Sequence, residues 1–113
     1  MNITIKKTLD VTPSLETYIE EKLMPLGKFV ETYEKEGEIE LRLEVSRTTQ
    51  HHHKGEEVFM AAIDLALPGK VLRSEASASD IRKAIDEARN MMHMEIQKYK
   101  TKHAPSNETE REK

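Results

Sequence analysis

The chain has 113 residues, enough for one domain with a single modest core. Apolar residues make up 36% and charged residues 35%, with no Trp and two Phe, which points to a thin two-layer core. A formal net charge of −3 excludes recruitment of nucleic acid by bulk charge, and the absence of cysteine excludes disulfides, thiolate metal sites and cysteine nucleophiles together.

The opening MNITIKKTLD alternates polar and apolar residues without the apolar stretch of a signal peptide, and Ile3 and Ile5 mark a half-buried strand. Thr12-Pro13 reads as a helix start, with Thr capping free amides and Pro losing nothing at the first helical position. Leu15, Ile19, Leu23 and Leu26 follow as an apolar stripe with Tyr18 beside it. Pro25 lacks a backbone donor and Gly27 adds flexibility, so regular helix is expected to stop or bend between Lys22 and Lys28. Phe29, Val30 and Tyr33 continue the apolar signal less regularly, and Glu34 to Glu38 is expected to turn.

Ile39, Leu41, Leu43 and Val45 alternate with polar residues, as do Phe59, Ala61, Ile63, Leu65 and Leu67. Both runs read as strands with one face in the core and one wet. Pro68-Gly69 makes a tight turn into a weaker strand, Lys70 to Ala76. Ser77 or Ser79 is then expected to cap a second helix, with Asp80 favourably placed against the dipole. Its stripe is Ile81, Ala84, Ile85, Ala88, Met92, Ile96 and Tyr99. The expected fold is α+β, ordered β-α-β-β-β-α: a four-stranded sheet with two helices packed on one face. One domain spans residues 1–102, and residues 103–113 form a polar tail expected to be disordered. No apolar run approaches membrane-spanning length, and a soluble, cytoplasmic protein is the expectation.

Between the two best strands lies TTQHHHKGE, with His51, His52 and His53 in succession. Adjacent histidines in an extended or turning segment diverge, whereas a zinc site draws its ligands from separated positions on firm elements. The segment therefore reads as a solvated hairpin loop with no metal site, although imidazoles beside Lys54 could also stack on RNA bases. No G-x-S-x-G, H-E-x-x-H or Gly-rich phosphate loop occurs, and four Gly cannot assemble a dinucleotide fingerprint. Asp80, Asp86 and Glu87 read as solvated partners of nearby cations. Neither catalysis nor a cofactor is expected.

Three stretches in order, MNITIKKTLDVTPSLETYIEEKL, LPGKVLRSEASASDIRKAIDEA and QKYKTK, resemble the ribosome hibernation-promoting factors and ribosome-associated inhibitors, also called the sigma-54 modulation protein family. The resemblance covers about residues 1–102. It is carried most specifically by Thr12-Pro13, by Asp80 with Ala84-Ile85-Asp86, and by Lys98-Tyr99-Lys100. It implies the same β-α-β-β-β-α fold. It also implies binding in the decoding region of the small ribosomal subunit, against 16S rRNA, where the protein blocks the path of messenger and transfer RNA and stalls translation in idle or stressed cells. Neither DNA nor membrane is an implied partner, and the protein is expected to be a monomer off the ribosome. The chain resembles the short family members, without the additional C-terminal domain by which long members pair two ribosomes.

Such binding needs a basic surface against phosphates. Lys22, Lys28, Lys98 and Lys100 match basic positions of the family; Arg82, Lys83, Arg89 and Lys102 are basic here on or beyond the same outer helical face. Lys22, Arg89 and Lys98 are expected to be exposed. From Asp80 to Lys102, six Lys and Arg face four acids, a net of +2. The chain departs from the family pattern where Pro25, Met91, Met94 and Gln97 replace usual cations, Gly27 a usual acid and Arg82 a usual Tyr. Met91 and Met94 form a soft patch suited to a protein contact, which keeps open a protein-interaction module on the same fold with a weakened RNA surface. A metal-responsive binder using the histidine loop is a third, weaker reading.

Overall fold

Leu41, Leu43 and Val45 are fully buried, as are their strand partners Leu65, Ile63 and Ala61. That register is what period-2 alternation demands, since directly opposed residues share a face of the sheet. In the computed structural model, which describes residues 2–7, 11–50 and 56–103, the elements are β1 (Asn2–Lys7), α1 (Pro13–Lys28), a 3-10 helix (Glu31–Glu36), β2 (Glu40–Gln50), β3 (Glu56–Leu67), β4 (Lys70–Ala78) and α2 (Ile81–His103). The sheet order is β1-β2-β3-β4. β1 runs parallel to β2, and the other two pairings are antiparallel. Of the expected tail, residues 103–113, His103 ends α2; residues 104–113, and residues 51–55, which include the three histidines, lie outside the described residues.

Both helices cover the apolar side of the sheet. Leu15, Ile19, Leu23 and Leu26 of α1 and Ala84, Ile85, Ala88, Met92 and Ile96 of α2 join the strand residues in one buried cluster. Each fully buried Leu or Ile contributes about 1.5–3 kcal/mol by leaving water. Ile81, expected in this core, is only partly buried because it opens the first turn of α2 at the rim. Among the described residues Ser74 is the buried polar exception, and its Oγ donates to the Ala88 carbonyl at 2.8 Å, tying β4 to α2. On the open face Arg73 holds Asp64 opposite it at 2.8 Å and Glu75 at 3.3 Å, a solvent-exposed set worth little stability.

The helix ends follow local chemistry, with two corrections to the sequence reading. Thr12 Oγ1 accepts from the Leu15 amide at 3.1 Å, with Pro13 in the first helical position, as expected. For α2 the cap is Asp80 rather than Ser77 or Ser79: its Oδ1 accepts from the Arg82 amide at 2.9 Å. Ser77 is consumed by β4, which runs two residues beyond Ala76. α1 passes through Pro25 and stops at Lys28, within the stretch from Lys22 to Lys28 where a stop or bend is expected. At its end the Phe29 and Val30 amides bond three residues back, to Leu26 and Gly27. A 3-10 helix then replaces the turn expected from Glu34, and Gly37 follows it with φ of 159°. A side chain at Gly37 would also meet the Pro68 ring at 3.3 Å. Gly69 takes φ of 78°, which the third position of a type II turn requires after proline.

Candidate nucleic-acid interface

Contacts between the helices advance together along both chains: Ser14 meets Arg82, Tyr18 meets Asp86, and the Lys22 carbonyl meets Arg89. The two helices therefore lie parallel, and their adjoining sides form a polar seam above the core. At its centre the Tyr18 hydroxyl donates to Asp86 Oδ1 at 2.6 Å. That bond, with partial burial and the carboxylate's charge, pushes the Tyr18 hydroxyl up to about 12. The Lys22 ammonium lies 3.8 Å from the same oxygen and 5.4 Å from the Tyr18 ring centre. The Arg82 guanidinium covers that ring at 5.0 Å and donates to Ser14 Oγ at 3.2 Å. Arg89 donates to the Lys22 carbonyl at 3.4 Å and to Asn90 Oδ1 at 3.2 Å. Beside Lys22, Asp86 and Arg89 opens a cleft of about 350 Å³.

The eight nominated cations therefore divide. Lys22, Arg82 and Arg89 belong to the seam and are half-buried, which corrects the expectation that Lys22 and Arg89 project freely. Tyr18 and Asp86 offer Lys22 a ring face and a carboxylate, the same ring takes Arg82, and Arg89 is held by the Lys22 carbonyl and Asn90. Lys28, Lys83, Lys98 and Lys102 are exposed, and Lys100 is half-buried. Lys98 lies 3.5 Å from Glu95, a solvated pair one turn apart. Asp86 is correspondingly more than the solvated helix partner that its sequence position suggests.

The fold also brings in residues that sequence reasoning missed. Lys70, the first residue of β4, lines a cleft of about 190 Å³ with Glu95, Lys98, Tyr99 and Lys102. Burial raises the Tyr99 hydroxyl pKa there, with help from the Glu36 charge. No local pattern around Pro68-Gly69-Lys70 signals that this strand start lies beside the end of α2. His93 is likewise occupied, stacked on Phe29 with ring centres 4.4 Å apart. Met91 and Met94 are exposed, at 45% and 58%. Among the described residues no group of three or more His, Asp or Glu is placed to hold a metal ion. None of their helices is long and apolar enough to cross a membrane.

Residues 1–104 match the family described as Sigma 54 modulation protein / S30EA ribosomal protein. The chain belongs to this family. It is 25% identical over 97 residues to the ribosome hibernation promotion factor of Deinococcus radiodurans, a match covering 86% of the chain and 47% of that protein. The chain thus spans about half the length of this curated relative. Among solved structures it resembles the N-terminal domain of Thermus thermophilus Protein Y, with TM-score 0.66, 25% identity, and coverage of 88% of this chain and 99% of that one. A ribosomal subunit interface protein from Coxiella burnetii, at 20% identity, shares the fold with TM-score 0.65, over 89% of this chain and 99% of that one.

Proposed function

We propose that this protein is a hibernation factor that binds the small ribosomal subunit, without catalysis, and inhibits translation or stores idle ribosomes. One observation carries the reading. The region matched to the family, residues 1–104, takes in every described element, and none of the eight nominated cations on its two helices is buried. The name of the Deinococcus relative, a ribosome hibernation promotion factor, supports a ribosomal partner.

The proposed mechanism is occlusion. Lys28, Lys83, Lys98 and Lys102 contact phosphates of 16S rRNA in the decoding region, and the body of the domain stands where messenger and transfer RNA would pass. Phosphate contacts supply most of such affinity by releasing counterions. Arg82 and Arg89 contribute from the seam, preorganised by their contacts to Ser14, Tyr18 and Asn90.

Cosedimentation with isolated small subunits at several salt concentrations tests this. The log of the binding constant falls linearly with log salt, with a shallower slope than in relatives bearing cations at the positions of Pro25, Met91, Met94 and Gln97. Absence of cosedimentation at low salt sinks the reading. The exposure of Met91 and Met94 favours a second reading, a protein-interaction module on the same fold. Loss of subunit binding in a Met91→Ala, Met94→Ala variant, with binding retained when the exposed lysines are replaced, would put it in first place.

A further inference from the structure

Two departures from the family pattern, Pro25 and Gly27, flank Leu26 at the end of α1 and, with Met24, line a groove of about 450 Å³. Proline brings an uncharged ring and glycine no side chain, so an apolar floor stands where a lysine and an acid are usual. Met24 is 58% exposed on this floor, a soft side chain that adapts to irregular partners. The rim has the opposite character. Glu21 from α1 and Glu31 and Glu34 from the 3-10 helix line it, against Lys28 alone. The acids repel phosphate and attract cations, while the floor rewards an aliphatic group that a bare cation lacks.

We propose that this groove docks a lysine- or arginine-rich protein segment, which seats one aliphatic side chain over Met24, Pro25 and Gly27. The charge of the occupant follows from the rim and its apolar anchor from the floor. The volume of about 450 Å³ leaves room for an aliphatic side chain and its neighbours, being within the roughly 300–1,000 Å³ of sites that hold whole small ligands. Pro25 also lines the cleft beside Asn90, so the floor continues toward α2. This proposal goes beyond the ribosomal reading and shares only Lys28 with it.

The test uses the full chain at low salt with a fluorescein-labelled peptide of repeating Lys-Leu-Lys-Lys. A Lys-Ser-Lys-Lys peptide and an oligouridine RNA serve as companions. Anisotropy reports affinity and the Met24 methyl resonance reports the site. The leucine peptide is expected to bind about tenfold more tightly than the serine peptide, because only it buries an aliphatic group. It should also shift the Met24 methyl. Glu21→Gln with Glu31→Gln should weaken it about fivefold. Met24→Lys should abolish binding, and all these variants should melt like the parent, their side chains being exposed. Equal affinity for both peptides, an unmoved Met24 methyl, undiminished binding by Met24→Lys, or a shift of the Met24 methyl by oligouridine alone would each overturn the proposal. Subunit cosedimentation is a separate readout, so either result can fail alone.

Discussion

Along the helix pair, cations of the same type serve different ends. Lys22, Arg82 and Arg89 lie against Tyr18, Asp86, Ser14 and backbone carbonyl, where their charge helps hold α1 parallel to α2. Lys28, Lys83, Lys98 and Lys102 project into water and cost folding almost nothing. The difference teaches that a basic residue engaged by a neighbouring helix can offer a ligand only the donors which its own partners leave over, though it holds them in place. Tyr18 is the discriminating neighbour, presenting a ring to two cations and a hydroxyl to the carboxylate between them.

Replacing Lys83, Lys98 and Lys102 together by Ala gives the largest effect on function. The salt slope of small-subunit binding should weaken by about three units, roughly one per lost contact. Thermal stability should move by no more than about 0.5 kcal/mol. A triple variant that binds like the parent would break the division at its outward side.

Asp86→Ala addresses the seam. It leaves the Tyr18 hydroxyl without its acceptor and Lys22 without its counter-ion, and should cost about 1 kcal/mol, or about 4 °C in Tm. An unchanged melting curve would show the seam to be ornamental. A smaller, pH-dependent effect follows from Tyr18. Its folded pKa is raised from 10.0 to about 12, so the folded chain holds the proton more tightly than the unfolded chain. The resulting stabilisation is complete below pH 10.0 and is lost as pH rises toward about 12. Tyr18→Phe should lack this component, and denaturant titrations across that window would sharpen the comparison by isolating it. The smallest effect is expected from Lys98→Ala alone, whose ion pair to Glu95 is solvated and worth only a few tenths of a kcal/mol in stability by calorimetry.

Much of the architecture is legible in the chain because its signals are local. Thr12-Pro13, the alternation through Leu41, Leu43 and Val45, and the stripe from Ala84 to Tyr99 each name an element and its buried face within a few residues. The failures are also local in origin. Ser77 and Ser79 stand close before the residue that does cap α2, Asp80, and Ser77 is taken by the pairing of β4 with β3, which reaches Ala78 opposite Phe59. Glu34 to Glu38 reads as a turn, yet Glu31–Glu36 winds as a 3-10 helix whose Tyr33 is buried in the core.

The sequence by itself determined the order of elements, the apolar face of each, and the set of basic side chains on the two helices, because periodicity and capping act over one or two turns. Only the tertiary structure decided which of those side chains are committed. Asp86 meets Tyr18 across 68 positions of chain and Arg89 meets Lys22 across 67, while Lys70 joins the lysines at the end of α2 only because β4 lies beside that helix. A charged group's availability is set by what surrounds it in three dimensions, and here those surroundings come from the opposite end of the chain.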